Sequence, residues 1–349
     1  MDLSLGETQV QLADAVGTFL TRLPRVPMSQ TPPSGIQQPW LMLAEELGLL
    51  GLMLPEDQGG YGGKGDDLLV VMEVMGRHLF DQPFAEVAVT GLSLLASAGQ
   101  DDLVQGVVTG REFVAPILKL DGVTISEREG LWTVTGFSEL VFPAVEATHF
   151  VVGTRYGADE VLLLVAASAV TVRPVATTDE RWAGQVTFAA SAATLLLIGN
   201  EASQALSVAE DLAIASLCAE ASGVVSKLLD DTVEFTQQRR QFGQPISRFQ
   251  VLQHRMSDML IQCEMAKSAA ILACLSLKKP PAVRRKATSA AKMVVSEACR
   301  FIGQNAVQLH GGLGMSAETE MTRWFKRATV IEYQLGSRDE HIERYRAEA

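Results

Sequence analysis

The chain has 349 residues, enough for two or three domains, with 47% hydrophobic and 20% charged residues and a mean hydropathy of +0.16. That composition excludes a disordered or collagen-like chain. Asp and Glu outnumber Lys and Arg by 41 to 29, a net charge of −12 with pI near 5.0, which argues against nucleic acid or acidic lipid as a main partner.

Residues 1 to about 110 read as helical. Met1-Asp2-Leu3-Ser4 carries no basic run and opens no long apolar stretch, so no secretory signal is expected there. The stretch from Gln30 to Gln38, with two adjacent prolines, reads as an exposed connection. Leu41, Leu43, Leu47 and Leu50 recur at helical spacing, as do Leu68, Leu69, Met72 and Met75 between Asp66 and His78. Between them, Pro55-Glu56-Asp57-Gln58-Gly59-Gly60-Tyr61-Gly62-Gly63 is too rich in Gly and Pro for regular structure.

From about 112 to 200 the pattern turns to β. Trp132–Gly136, His149–Val152, Val161–Val165, Val170–Val175 and Gln185–Phe188 are β-branched or apolar runs separated by Gly, Asp or Pro. Short strands at this spacing predict a small barrel or sandwich. From about 201 the chain reads as helical again. Ala205 to Gln238 has no proline, and Phe249, Leu252, Met256, Met259 and Cys263 form an apolar stripe ending before Pro280-Pro281. A further helix is predicted from about Val283 to Leu309, up to Gly311-Gly312-Leu313-Gly314.

The expected architecture is an α+β multidomain chain: an N-terminal α-helical domain (1–111), a middle small β-barrel or sandwich (112–200) and a C-terminal helical bundle (201–349). The most apolar runs, near Val161–Val165 and Leu195–Ile198, are short, so no membrane span is expected. Cys218, Cys263, Cys274 and Cys299 form no CxxC pair and read as buried, reduced thiols of a cytoplasmic protein.

Three motifs carry a resemblance. Leu47-Gly48-Leu49-Leu50-Gly51 leads into Pro55-Glu56-Asp57-Gln58-Gly59-Gly60. Arg239-Arg240-Gln241-Phe242-Gly243-Gln244-Pro245-Ile246 is followed by Phe249-Gln250. Gln308-Leu309-His310-Gly311-Gly312-Leu313-Gly314 closes the last long helix. In this order they resemble the acyl-CoA dehydrogenase family over essentially the whole chain. The resemblance implies a C-terminal four-helix bundle, an FAD cofactor held partly by a neighbouring subunit, an acyl-CoA substrate, and an electron-transfer flavoprotein or similar acceptor. By it, Arg239, Phe242, Gln308, Gly311 and Gly312 would serve the ADP half of FAD. A guanidinium beside a helix N-terminus suits a pyrophosphate, and glycine lets backbone approach closely. His310 reads as structural.

The departures are grouped. The family's base is a Glu that takes the α-proton of a thioester. Its commonest position matches Leu335, and the other, 29 residues before Phe242, matches Ala213; neither side chain takes a proton. Asp211 and Glu332 stand near these positions as weak candidates. The family's Thr-Glu-Pro matches Val114-Ala115-Pro116, without the Glu, and the run from Pro116 to Gly136 is shorter than usual. The strand that backs the flavin ring reads Leu140-Val141-Phe142-Pro143, without its hydroxyl and amide donors. Ser337 and Asp339 stand where Thr and Gln are common.

Elements serving the chain's own flavin ring are lost while those reaching a neighbour's ADP half are kept. This resembles the non-catalytic subunit of heterotetrameric (α2β2) steroid-type acyl-CoA dehydrogenases. Two other expectations stay open: a self-sufficient homo-oligomer with an unusual base, and a flavin-free scaffold of the same fold.

Overall fold

The protein is seen in a computed structural model that describes residues 6–23, 31–316 and 319–348. Met1–Ser4 and Gln30 lie outside the described residues. By its contacts the chain forms two compact units, each treated by itself. One gathers the first helix, Gly65–Phe80 and the chain from Ile214 onward. Among the described residues, the other gathers 31–64 and Asp81–Ala213.

In the second unit, α2 (Gln38–Leu47) stops at Gly48, whose left-handed φ of 61° caps it. Leu50, expected on the same helical stripe, lies beyond that cap in a tight turn and is buried there. The numbering α1 (Glu7–Arg22) and α3 (Gly65–His78) belongs to the first unit. Phe84–Gly91 winds as a wider π-type helix, with Thr90 Oγ donating to the Ala85 carbonyl five residues back at 2.8 Å. It runs into α4 (Leu92–Ser97), followed by α5 (Asp101–Val108).

The strands are β1 (Val114–Ile117), β2 (Thr124–Arg128), β3 (Leu131–Val141), β4 (His149–Tyr156), β5 (Asp159–Ala166), β6 (Val170–Ala176) and β7 (Trp182–Ile198). Their order is β1-β4-β5-β7-β3-β2, with β6 also on β7. β7 is the hinge of the design. Trp182–Phe188 lies against β6 and Gly184–Phe188 also against β3, whereas Thr194–Ile198 lies against β5. The register against β3 shifts between Phe188 and Ser191, where Ala190 takes φ 54° and bends the strand. One bent strand thus joins all the others into a single seven-stranded mixed sheet, where the short-strand pattern predicts a small barrel or sandwich. Its core includes Val134, Phe150, Leu163, Val186 and Phe188, all essentially inaccessible. Sequence alternation located only Gln185–Phe188 of β7, because Ala189–Ala193 interrupts the β-branched signal.

In the C-terminal part, α6 (Asn200–Gln238), α7 (Gln250–Leu275), α8 (Pro281–His310), α9 (Met321–Tyr333) and α10 (Arg338–Arg346) follow one another. α8 packs on α7, α9 and α10. α7 ends at Leu275, short of the expected proline stop, and Pro280 instead caps α8. α6 corrects the expectation about membrane spans. By length and composition it is apolar enough to cross a bilayer, but 89% of its most apolar window is buried inside the protein. It is an Ala-, Val- and Leu-rich core helix.

α3 is set into the first unit by bare backbone. A methyl on Gly76 would stand 2.0 Å from the Glu220 carbonyl oxygen of α6, and one on Gly223 of α6 would stand 2.0 Å from that of Glu73. The helices touch main chain to main chain at both points. All four cysteines are free and buried.

Candidate functional site

The Arg239 motif folds as a two-residue hairpin. β8 (Arg240–Gln241) pairs with β9 (Gln244–Pro245), and the tip is Phe242-Gly243, with φ of 52° and 79°. Two consecutive positive φ values are the signature of a type I′ turn, whose first central position favours Asn, Asp or Gly. Here it holds Phe, 90% exposed, touched edge-on by Phe249 with ring centroids 6.1 Å apart. Ile246 N donates to Arg239 O at 2.9 Å and closes the hairpin base. Arg239 itself is exposed directly after the last residue of α6, and α7 opens only at Gln250. The guanidinium is therefore carried by a hairpin at the C-terminal end of α6, not by a helix N-terminus as the spacing suggested.

The second motif closes α8. Gln308 is exposed, and Gly311 follows the helix with φ 63° and ψ −138°, outside the left-handed helical cap and in a region open to glycine rather than to other residues. Gly312 is different. Its φ is not left-handed, and a methyl there would meet nothing within 4 Å among the described residues. The chain's own packing gives no reason for a glycine at that point. The two motifs are joined by a ring stack: Phe235 of α6 lies on His310 of α8 at 4.2 Å, with planes 24° apart. His310 sends Nδ1 to the Ala306 carbonyl at 2.8 Å, and burial pulls its pKa below the usual imidazole range. Its ring is thus engaged in the chain's own packing. Phe235, which sets the two ends side by side, carries no sequence signal beyond core hydrophobicity.

The positions expected of a base are also placed. Leu335 follows α9 in a turn, with φ 59° and 37% exposure. Glu332, at the end of α9, is buried, and its Oε1 accepts from Arg300 Nε at 2.7 Å and from Nη2 of the same guanidinium. That oxygen is engaged rather than poised to receive a proton. Ala213 and Asp211 are both buried in α6, the latter fully. The Leu335 turn is heavily anchored. Arg327, paired through two bonds of 2.6 and 2.7 Å with Glu220, also donates to Gln334 Oε1 at 2.9 Å. His341 Nε2 donates to Leu335 O at 2.9 Å. Lys292 reaches the carbonyls on both sides. Ser337 then caps α10 in a reciprocal box with Glu340. A cavity of about 470 Å³ opens beside the turn, walled by Arg300 and Phe301 of α8 and by Tyr333 and Ser337.

In the other unit, Val114 and Ala115 are wholly buried in β1, paired in parallel with His149 and Phe150 of β4. Val141 ends β3 buried, and Phe142 is covered by the Arg181 guanidinium at 4.2 Å, itself bonded to Asp179 at 2.9 Å. These side chains are spent on the unit's own packing and offer a ligand no donor.

A sequence model of the family described as acyl-CoA dehydrogenase, C-terminal domain, matches residues 213–347. The acyl-CoA dehydrogenase IpdE2 of Mycobacterium tuberculosis is 30% identical over 318 residues, which cover 88% of this chain and 86% of its own. Among solved structures, a variant of the Tcur3481-Tcur3483 steroid acyl-CoA dehydrogenase matches with a TM-score of 0.88 and 27% identity, over 99% of this chain and 98% of its own. A chain of the ChsE4-ChsE5 complex from Mycobacterium tuberculosis shares the fold, with a TM-score of 0.90 and 23% identity over 100% and 98%. The chain belongs to the acyl-CoA dehydrogenase family. Members of that family are oxidoreductases and generally bind FAD.

Proposed function

We propose that this chain is the partner subunit of a heteromeric, FAD-dependent acyl-CoA dehydrogenase. It completes the ADP half of a flavin whose ring, acyl-CoA pocket and catalytic Glu belong to a second acyl-CoA dehydrogenase-like subunit, in an α2β2 assembly. The observation that carries the reading is Phe242, held at a strained hairpin tip and 90% exposed, while the base position holds Leu335. The residues fit the ADP half of FAD. Arg239 supplies charge for the pyrophosphate, Phe242 a face for stacking, Gln308 a donor and Gly312 an open approach to backbone. The residues at the ring half do not fit, because Val141, Phe142 and Ala115 lack donors and are packed inward. The bound flavin supplies the hydride acceptor; this chain's residues bind and orient it, and move no proton.

The name of the Tcur3481-Tcur3483 enzyme joins two proteins and a steroid substrate class. That favours a bulky, steroid-derived acyl-CoA ester as substrate, with an electron-transfer flavoprotein or a similar carrier as acceptor. A self-sufficient enzyme with Glu332 as base is disfavoured by the Arg300 clamp.

The test is flavin content by visible absorbance. The chain purified alone is expected to hold no flavin, and co-expression with a Glu-bearing homologue to give one FAD per pair of chains. Arg239→Ala is expected to weaken flavin retention in the pair by roughly tenfold to a hundredfold, the worth of a charge-assisted hydrogen bond. One FAD per chain in the isolated protein overturns the partner role. Undiminished flavin in Arg239→Ala makes the chain a flavin-free scaffold.

A further inference from the structure

We propose that Lys292 is a positioning residue whose ammonium, rather than its bulk, fixes the turn from Gln334 to Ser337 at the family's base position. The importance of that turn rests on the reading above; its geometry does not.

Lys292 lies in the middle of α8 with no exposed surface. Its Nζ is 2.8 Å from Ser296 Oγ, 3.1 Å from the carbonyls of Ile331 and Glu332, and 3.2 Å from that of Gly336. Three protons thus face four oxygens. The first two carbonyls belong to the last turn of α9, where main-chain oxygens have no helical partner and the helix dipole favours a cation. The third lies beyond Leu335. One ammonium therefore holds both ends of the segment that carries a left-handed, non-glycine residue. Ser296 Oγ, which Lys292 orients, donates in turn to Glu332 O at 3.1 Å.

Among the described residues no carboxylate pairs with this ammonium. The titratable groups facing it are Cys218 of α6, Cys299 of α8, Glu332 of α9 and Glu340 of α10. Burial pushes both thiols up to about 12, so they are neutral. Glu332 is held by Arg300, and Glu340 caps α10 through Ser337. A dry cation without a counter-charge is expensive, and a hydrocarbon of the same length fills such a site at less cost. The charge is kept for what hydrocarbon does not do: gather carbonyls. Burial also lowers the pKa of Lys292 from the usual lysine range, so the clamp has a pH at which it weakens.

The experiment is amide hydrogen exchange by mass spectrometry on the full chain, corrected for intrinsic rates, comparing peptides spanning 333–341 with peptides from α7. In Lys292→Met the turn amides are expected to exchange about tenfold faster, with α7 unchanged. In the native chain, turn protection is expected to fall as pH rises toward the ordinary lysine range, a step absent from Lys292→Met. Unchanged turn exchange in that variant, or a loss spread evenly over α7 and α8, overturns the proposal. If Lys292→Met does not fold, Lys292→Gln, a neutral side chain with too few protons to gather the same oxygens, is compared in its place, and turn exchange unchanged from the native chain overturns the proposal. Arg239→Ala keeps the two ideas apart, since flavin retained in that variant removes the partner-subunit reading and leaves the exchange result standing.

Discussion

Phe242 occupies a conformation that its own chain gives it no reason to accept. A left-handed φ costs a non-glycine residue roughly 1–2 kcal/mol, and a 90% exposed ring recovers almost nothing from packing. Phe242→Gly is therefore expected to raise the unfolding free energy of the chain by about 1 kcal/mol while lowering flavin retention in the two-chain complex. Thermal melts and flavin absorbance on the same preparations read both. A variant that melts higher and keeps its flavin sets the ring aside as a ligand contact. Glu146 gives a second prediction at this scale. Its Oε2 is buried without a partner among the described residues, and burial, with Asp81 adding to it, raises its pKa to about 7. Folded, the carboxyl keeps its proton to about pH 7; unfolded, it releases it near 4.5. Its contribution is greatest below the lower value and is lost as pH rises through the upper one. Glu146→Gln should leave stability unchanged near pH 4.5 and raise it by roughly 1–2 kcal/mol at pH 8, after discounting for residual solvent, as read from denaturant midpoints.

At the scale of elements, the contact between α3 and α6 makes the sharpest demand. Gly76 and Gly223 each face a carbonyl oxygen 2.0 Å from where a methyl would stand. Alanine at either position raises helix propensity by about 1 kcal/mol, yet it forces two backbones apart. Gly223→Ala is expected to destabilise the chain by roughly 2 kcal/mol net, measured by urea unfolding; a stabilised variant contradicts the packing described. This contact was invisible in the sequence, because glycine and carbonyl oxygen leave no hydrophobic period to read. Elements built on side-chain period were legible: Asp66 to His78 is α3 within one residue, and the β runs of 149–175 lie within β4, β5 and β6. The second half of β7 and the early end of α7 were not. Alanine-rich sequence reads alike as strand or helix, and α7 stops well before its proline.

For the whole molecule, the proposed asymmetry between a ring site without donors and retained ADP motifs rests on residue types alone, since Leu for Glu and Val for Thr change chemistry outright. What only coordinates display is how each motif is held. Phe235 stacks on His310, Arg300 occupies Glu332, and Lys292 grips the Leu335 turn. These partners lie far apart in sequence, and their residue types carry no motif. The composition fits the same picture. A chain of net charge −12 nonetheless exposes Arg239 and Arg240 together on one hairpin, a local cation site on an acidic body, suited to a small phosphate-bearing ligand rather than to a polyanion.

The bare contact of α3 with α6 also has a consequence for biosynthesis. α3 is made early, but the backbone it lies against begins to appear only around Glu220, nearly 150 residues later. At ribosomal speeds of roughly 5–20 residues per second, α3, although α1 already packs on it, waits on the order of ten seconds or more with the side that meets α6 uncovered. The backbone around Glu73 and Gly76 that α6 later covers is then open to any passing chaperone or to another nascent copy. The unit that carries the kept motifs therefore cannot close until most of the chain has left the ribosome. A truncation stopping before α6 is expected to leave α3 sticky rather than folded, and the synthesis of this protein carries a window of vulnerability that its finished form conceals.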